Sequence, residues 1–279
     1  MRRTRTCRLL SWMLLAVIIS AGPGCSPALK KGGPTAIDPR PKVILGIFGG
    51  MGPEATASLY QLIVERTPAT RDQEHIPTLI YSLPTVPDRT ASIFSSDPSI
   101  LPYLAEGVTR LEKSGASFIV IPCNTAHYFY DHMQGAVKIP IINMIREAAE
   151  EVTVKYHGVK KVGLLATTGT ISTGIYEKEF AARGIEMIKP SASILENYIM
   201  KAVYLIKAHG DKKQCEEWLY LAGKELEKSG AEVVVLGCTE IPLAFNPERS
   251  GVPVVSATQV LADRAIARFQ QLSIFQPVQ

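Results

Sequence analysis

A chain of 279 residues with 46% hydrophobic and 20% charged residues has the composition of a globular protein able to bury one large core or two small ones. The formal charge of +4 sits at the very start, because residues 1–24 carry four Arg and no acid, so the remainder is neutral. A neutral remainder with no arginine-rich stripe interleaved with aromatics excludes a nucleic-acid surface as the reading of that charge.

Arg2, Arg3, Arg5 and Arg8 precede a 12-residue apolar run, Leu9–Ser20, and then Ala21-Gly22-Pro23-Gly24-Cys25. This is the order of a secretory signal peptide over 1–24, and the run is shorter than the roughly 20 residues a membrane-spanning helix needs. Cys25 after Gly24 resembles a bacterial lipoprotein cleavage box, although Gly22 stands where an aliphatic residue is usual. The expected location is outside the cytoplasm, either free in the periplasm or attached to the membrane through a lipidated Cys25. Residues 25–41, rich in Pro, Gly and Lys, read as a flexible tether.

Beyond the tether, short apolar runs alternate with amphipathic stretches, the pattern of an α/β fold with mainly parallel sheets. Val43–Phe48 predicts a strand, Gly49–Pro53 a turn, and Pro53 the start of a helix to about Glu65. Strand Ile76–Tyr81, a loop at 84–89, a helix ending near Lys113, strand Phe118–Ile121, a helix from about Thr125, a short strand Ile139–Ile142 and helix Ile145–Tyr156 follow. The order then restarts: strand Lys161–Ala166, a polar turn Thr167–Thr170, helix Tyr176–Arg183 and strand Ile185–Ile188. Helices near 194–208 and 212–228, strand Val233–Leu236, a short segment Val252–Val255 and a last helix over about 257–271 complete it.

Three landmarks recur in order at nearly constant offset: Gly46 and Gly163, the hexapeptide LEKSGA at Leu111 and Leu226, and Pro140 and Pro253. Such a pattern indicates an internal duplication. The expected architecture is two similar α/β domains, 42–158 and 159–255, related by a pseudo-twofold axis with the active site in the cleft between them. The C-terminal helix 256–272 is expected to return to the first domain.

In both copies LEKSGA leads into a β-branched strand and then a cysteine, Cys123 or Cys238. Ligands of open α/β sheets bind beyond the carboxyl ends of strands. A helix beginning there would lower a thiol pKa from its free value of about 8.5, and Thr125 and Thr239 offer hydroxyls at those starts. Each cysteine alone also reads as a small buried apolar residue, and the two together as a disulfide. Facing duplicated domains would instead place one thiol on each side of a substrate carbon. That is the requirement of racemisation, in which one group removes a proton from one face and a like group returns it from the other. Cys123, Cys215 and Cys238 lack zinc-type spacing, so no metal site is expected. Cys215 reads as a core thiol. Glu54 reads as a first-turn acid, and His127 as a group that orders the helix after Cys123.

GIFGGMGPEAT (46–56), PCNTAH (122–127) and LGCTEIPL (236–243) resemble the aspartate/glutamate racemase superfamily, and the Gly-Met-Gly-Pro opening its aspartate racemase branch. Glutamate racemases carry a His after the second Cys-Thr, where this chain has Glu240. The resemblance implies a cofactor-independent, PLP-independent amino-acid racemase with Cys123 and Cys238 as the catalytic pair. It further implies that Asn124, Thr125 and Thr239 bind the substrate's α-carboxylate or amine, that Arg89 binds its carboxylate, that Lys207 contacts the substrate, and that Met51 lines the cleft. The expected partner is a small acidic amino acid, aspartate or glutamate, with a homodimer among the assemblies the family forms. Two rivals stay open: a maleate isomerase or malonate-type decarboxylase of the same superfamily, and a periplasmic amino-acid-binding protein.

Overall fold

The computed structural model describes residues 42–274; the expected signal peptide, tether and lipidated Cys25 lie outside them. The first lobe contains β1 (Leu45–Gly49), α1 (Pro53–Arg66), β2 (Thr78–Ser82), α2 (Arg89–Ser95), α3 (Ile100–Lys113), β3 (Phe118–Val120), α4 (Tyr130–Gly135) and α5 (Met144–Lys155). The second contains β4 (Lys161–Leu165), α6 (Thr168–Ser172), α7 (Ile175–Ala181), β5 (Glu186–Ile188), α8 (Ala192–Ile194), α9 (Lys201–Lys207), α10 (Lys212–Lys228), β6 (Val233–Leu236) and β7 (Val254–Ser256). A π-helical turn, Leu195–Met200, joins α8 to α9, and α11 (Ala257–Ile274) ends the chain.

Both sheets are parallel, with strand orders β2-β1-β3 and β5-β4-β6-β7. A single bridge, Ile119 to Ile141, occupies in the first lobe the place that β7 takes in the second. The duplication in the sequence is therefore a duplication of topology. Pairing of Gly46 with Ile119 and of Gly163 with Val234 puts equivalent residues at the middle of each sheet.

The repeated hexapeptide has two structural duties. It stops a helix: Gly115 and Gly230 take φ of 96° and 94°. Ala116 N–H then donates to Leu111 O and Ala231 N–H to Leu226 O, each at 3.0 Å. Gly115 and Gly230 N–H donate to Glu112 O and Glu227 O at 2.9 Å, completing a Schellman stop in both copies. It also seats that helix on the sheet. A Cβ added to Gly46 would lie 3.0 Å from Ala116 Cβ and 3.3 Å from Leu111 Cδ1. On Gly163 it would lie 3.0 Å from Ala231 Cβ and 3.1 Å from Leu226 Cβ. The Leu and Ala of the motif thus cover a bare stretch of the central strand, fixing where β3 and β6 begin and hence where their cysteines end up.

One hydrophobic core runs through both lobes, joining Leu45, Phe118 and Met144 to Val162, Val235 and the α11 residues Leu261 and Ala265. Helix α11 packs against α1 and α5 of the first lobe. No helix among the described residues is long and apolar enough to cross a membrane.

Three local expectations differ from the structure. The polar stretch after Thr167 forms α6, capped by the Thr167 hydroxyl accepting from Thr170 N–H. Helix α2, which follows the expected loop, is capped by Asp88 accepting from Ala91 N–H. The predicted strand Ile139–Ile142 shrinks to one bridge, because Pro140 has no N–H to give. There Ile141 N–H is taken by Gln134 Oε1, and Asn143 already caps α5.

Candidate active site

Strands β3 and β6 end three and two residues before Cys123 and Cys238, and both thiols line one pocket between the lobes. Met51, Arg89, Asn124 and Thr125 reach it from the first lobe, and Lys207 and Thr239 from the second, so the pocket gathers all eight residues singled out in the sequence. Its cavity is about 20 Å³, room for a single water. A chamber of about 590 Å³ adjoins it and shares Arg89, Lys207 and Glu240. Cys123, Cys215 and Cys238 are free thiols, so the disulfide alternative is not realised. Cys215 is buried in the core of the second lobe, away from the pocket.

The two thiols have different surroundings. Cys238 Sγ donates to Glu240 Oε2 at 3.1 Å, and Thr239 Oγ1 donates to the same oxygen at 3.3 Å. Glu240 is only 4% exposed; its other oxygen accepts Gly52 N–H at 3.2 Å and lies 3.8 Å from Lys207 Nζ. Burial pushes the Cys238 thiol well above its ordinary pKa and the Glu240 charge adds to this, while Lys207 offsets only part. The expected lowering of both thiols by helix starts is thereby corrected for Cys238. The segments after the cysteines are short 3₁₀ turns, Thr125–Phe129 and Ile241–Leu243, and at Cys238 burial outweighs what its turn offers. Burial also weighs against the Lys207 ammonium, but Glu240 and Cys238 draw its pKa up on balance, with Cys123 adding. One cation therefore interacts with both thiols.

The threonine hydroxyls tie the lobes together. Thr125 Oγ1 lies 2.9 Å from both Thr167 Oγ1 and Thr170 Oγ1, which are themselves 3.0 Å apart. Thr239 Oγ1 reaches Pro122 O at 3.3 Å, the reciprocal crossing from second lobe to first. A surface crossing joins Glu54 on α1 to Lys212 at 2.6 Å and to His209 at 3.5 Å.

Two donors on the pocket wall have no partner and are buried, Arg89 Nε and Asn124 Nδ2. The rest of the Arg89 guanidinium is braced by the carbonyls of Val86, Pro87 and Met51 at 3.0–3.4 Å. His127 is buried behind the site. Its Nε2 accepts Met144 N–H at 3.1 Å, so Nδ1 carries the proton donated to Cys123 O at 2.8 Å. Desolvation keeps this ring neutral, and it anchors the turn that carries Cys123.

Sequence reasoning passed over Glu240 as a site residue, and also Tyr176, Thr167 and Thr170. Glu240 had one local signal, its place two residues after Cys238. The others meet their partners only across the cleft.

A profile of the family described as Asp/Glu/Hydantoin racemase matches residues 48–265. The broad specificity amino-acid racemase RacX of Bacillus subtilis is 25% identical over 232 residues, 81% of this chain and 98% of that protein. Among solved structures, the aspartate racemase of Picrophilus torridus matches with a TM-score of 0.73 at 30% identity, covering 82% of this chain and 94% of that one. An aspartate racemase homologue from Pyrococcus horikoshii matches with a TM-score of 0.66 at 29% identity, over 82% and 99% of the two chains. Doubled sheets, a shared cleft and a profile spanning most of the molecule converge: this chain belongs to the Asp/Glu/Hydantoin racemase family, and is an amino-acid racemase.

Proposed function

We propose that the protein interconverts L- and D-aspartate, with glutamate as the other candidate substrate, by passing the α-proton between Cys123 and Cys238 without a cofactor. The observation that carries this reading is the meeting of the two thiols, one from each duplicated lobe, on one narrow pocket. Arg89 and Lys207 supply positive charge for a dicarboxylic substrate, and the unpartnered Arg89 Nε and Asn124 Nδ2 are donors awaiting an acceptor. Aspartate racemases among the structural relatives favour the acidic substrate.

In this mechanism Cys238 rests protonated on Glu240 and begins as the acid. Cys123, as thiolate, takes the proton from Cα on one face. The S–H bond of Cys238 breaks and its proton joins the opposite face, inverting the centre. The reverse reaction exchanges the roles. Lys207 holds positive charge near both sulfurs, which favours whichever is the thiolate. A water-sized cavity is too small for an amino acid, so the lobes part to admit it and close around it. We also propose that the leader exports the enzyme, leaving it periplasmic or lipid-anchored at Cys25.

Chiral chromatography tests the reading. Purified enzyme under reducing conditions should convert L-aspartate to an equal mixture of enantiomers, and Cys123→Ala or Cys238→Ala should abolish this. Undiminished racemisation by the double variant would end the two-thiol mechanism; turnover of maleate with none of aspartate would move the activity to an isomerase.

A further inference from the structure

Tyr176 takes no part in the proton transfer, yet it reaches the substrate wall. It lies on α7 of the second lobe, 1% exposed, with its ring so close to Gly237 that an added Cβ there would meet Tyr176 Cε2 at 3.1 Å. Its phenol crosses to the first lobe and donates to Asn124 Oδ1 at 2.6 Å. Burial raises the phenol pKa far above its ordinary value, and Cys238 adds to this, so the O–H stays a donor through the working range of pH. Asn124 is 2% exposed and lines the pocket beside Cys123, and its Nδ2 has no partner. With Oδ1 engaged by the phenol, the group of this amide left without a partner is its Nδ2 donor. A buried donor left unpaired is unfavourable until an acceptor arrives. A carboxylate is such an acceptor; an ammonium, which has donors only, is not.

From this geometry we propose that Tyr176 is a positioning residue: by holding Asn124 Oδ1 it turns Nδ2 into the cleft and makes Asn124 select the substrate's α-carboxylate. The proposal rests on the reading of Asn124 as a substrate-binding residue. Because the phenol comes from the opposite lobe, the amide is set only when the two lobes are together. Removing the hydroxyl frees the amide to rotate about its last torsion and to offer its oxygen, which repels a carboxylate.

The test compares wild type, Tyr176→Phe, Asn124→Ala and the double variant for KM and kcat with L-aspartate. Tyr176→Phe keeps the buried ring and should raise KM about tenfold, the worth of one charge-assisted hydrogen bond, with little change in kcat. Asn124→Ala should raise KM at least as much, and adding Tyr176→Phe to it should change nothing further. An unchanged KM for Tyr176→Phe beside a raised KM for Asn124→Ala overturns the proposal alone, as does a double variant in which the two effects multiply. An unchanged KM for Asn124→Ala overturns its substrate-binding role and the proposal with it. If aspartate is not turned over, its half-protecting concentration against iodoacetamide labelling of the thiols replaces KM, and a wild type that is not protected overturns both. If Tyr176→Phe does not fold, the Asn124 side-chain amide resonance of the wild type decides. It should shift on adding aspartate, and a fixed resonance overturns the proposal.

Discussion

Glu240 sets the two thiols apart. A carboxylate 3.1 Å from Cys238 Sγ disfavours its thiolate, and Lys207 on the far side of that carboxylate favours it. The direction in which Cys238 must act as base should therefore gain rate as pH rises toward the raised thiol pKa. Glu240→Gln removes negative charge, lowers that pKa and should move the rise to lower pH. Lys207→Gln removes positive charge and should move it to higher pH. Profiles of kcat against pH in both directions check this pair, and shifts of the same sign would contradict it. The two cysteines and the threonines after them were legible because the doubled motifs, each at a strand end, mark a site by themselves, whereas Met51, Arg89, Asn124 and Lys207 were expected only through the family resemblance. Glu240 stood two residues after Cys238 and departed from the glutamate racemase pattern, but neither mark gave it a role. Tyr176, Thr170 and Thr167 meet Asn124 and Thr125 from 52, 45 and 42 residues away. No short-range spacing encodes a bond made across a cleft.

At the scale of elements, the helix stops place the chemistry. Gly115 and Gly230 have positive φ, yet a Cβ on them would touch only Ile44 at 3.9 Å and Lys161 at 3.8 Å, ordinary contacts. Replacing either by Ala thus carries a conformational penalty and no clash, about 1–2 kcal/mol for a left-handed non-glycine residue. Each variant should melt lower by about 2–4 °C per kcal/mol, the scale for a chain of this size. The two decreases should be alike, since the two stops are alike. Thermal unfolding measures both, and a Gly115→Ala or Gly230→Ala protein that melts like wild type would contradict the stop. The strands and the longer helices were readable from apolar runs and Gly/Pro punctuation. The short polar helices α2 and α6 were not, because their only local marks are the Asp88 and Thr167 caps. At Ile139–Ile142 the β-branched run signalled a strand, but Pro140 and the Asn143 cap leave room for one bridge.

At the scale of the molecule, duplication supplies like groups on two sides of one cleft, and cross-lobe bonds from Thr125, Thr239, Tyr176 and Glu54 hold that cleft shut. Pairing of β3 and β6 with the glycine-bearing central strands brings each cysteine past the carboxyl end of its own sheet, onto the shared pocket. The proposed export and lipid anchoring are tested on the whole chain. In a bacterial host the full-length protein should fractionate with membranes, and Cys25→Ala should release it to the periplasm. Cytoplasmic recovery of both would contradict export. The two-thiol account is tested most directly by deuterium entry at Cα in D₂O. A protein left with one thiol can still remove a proton and return a deuteron on its own face. Cys123→Ala should therefore exchange the α-hydrogen of one aspartate enantiomer only, and Cys238→Ala that of the other only, with no inversion by either. Exchange of the same enantiomer by both variants would contradict the placement of one thiol on each face.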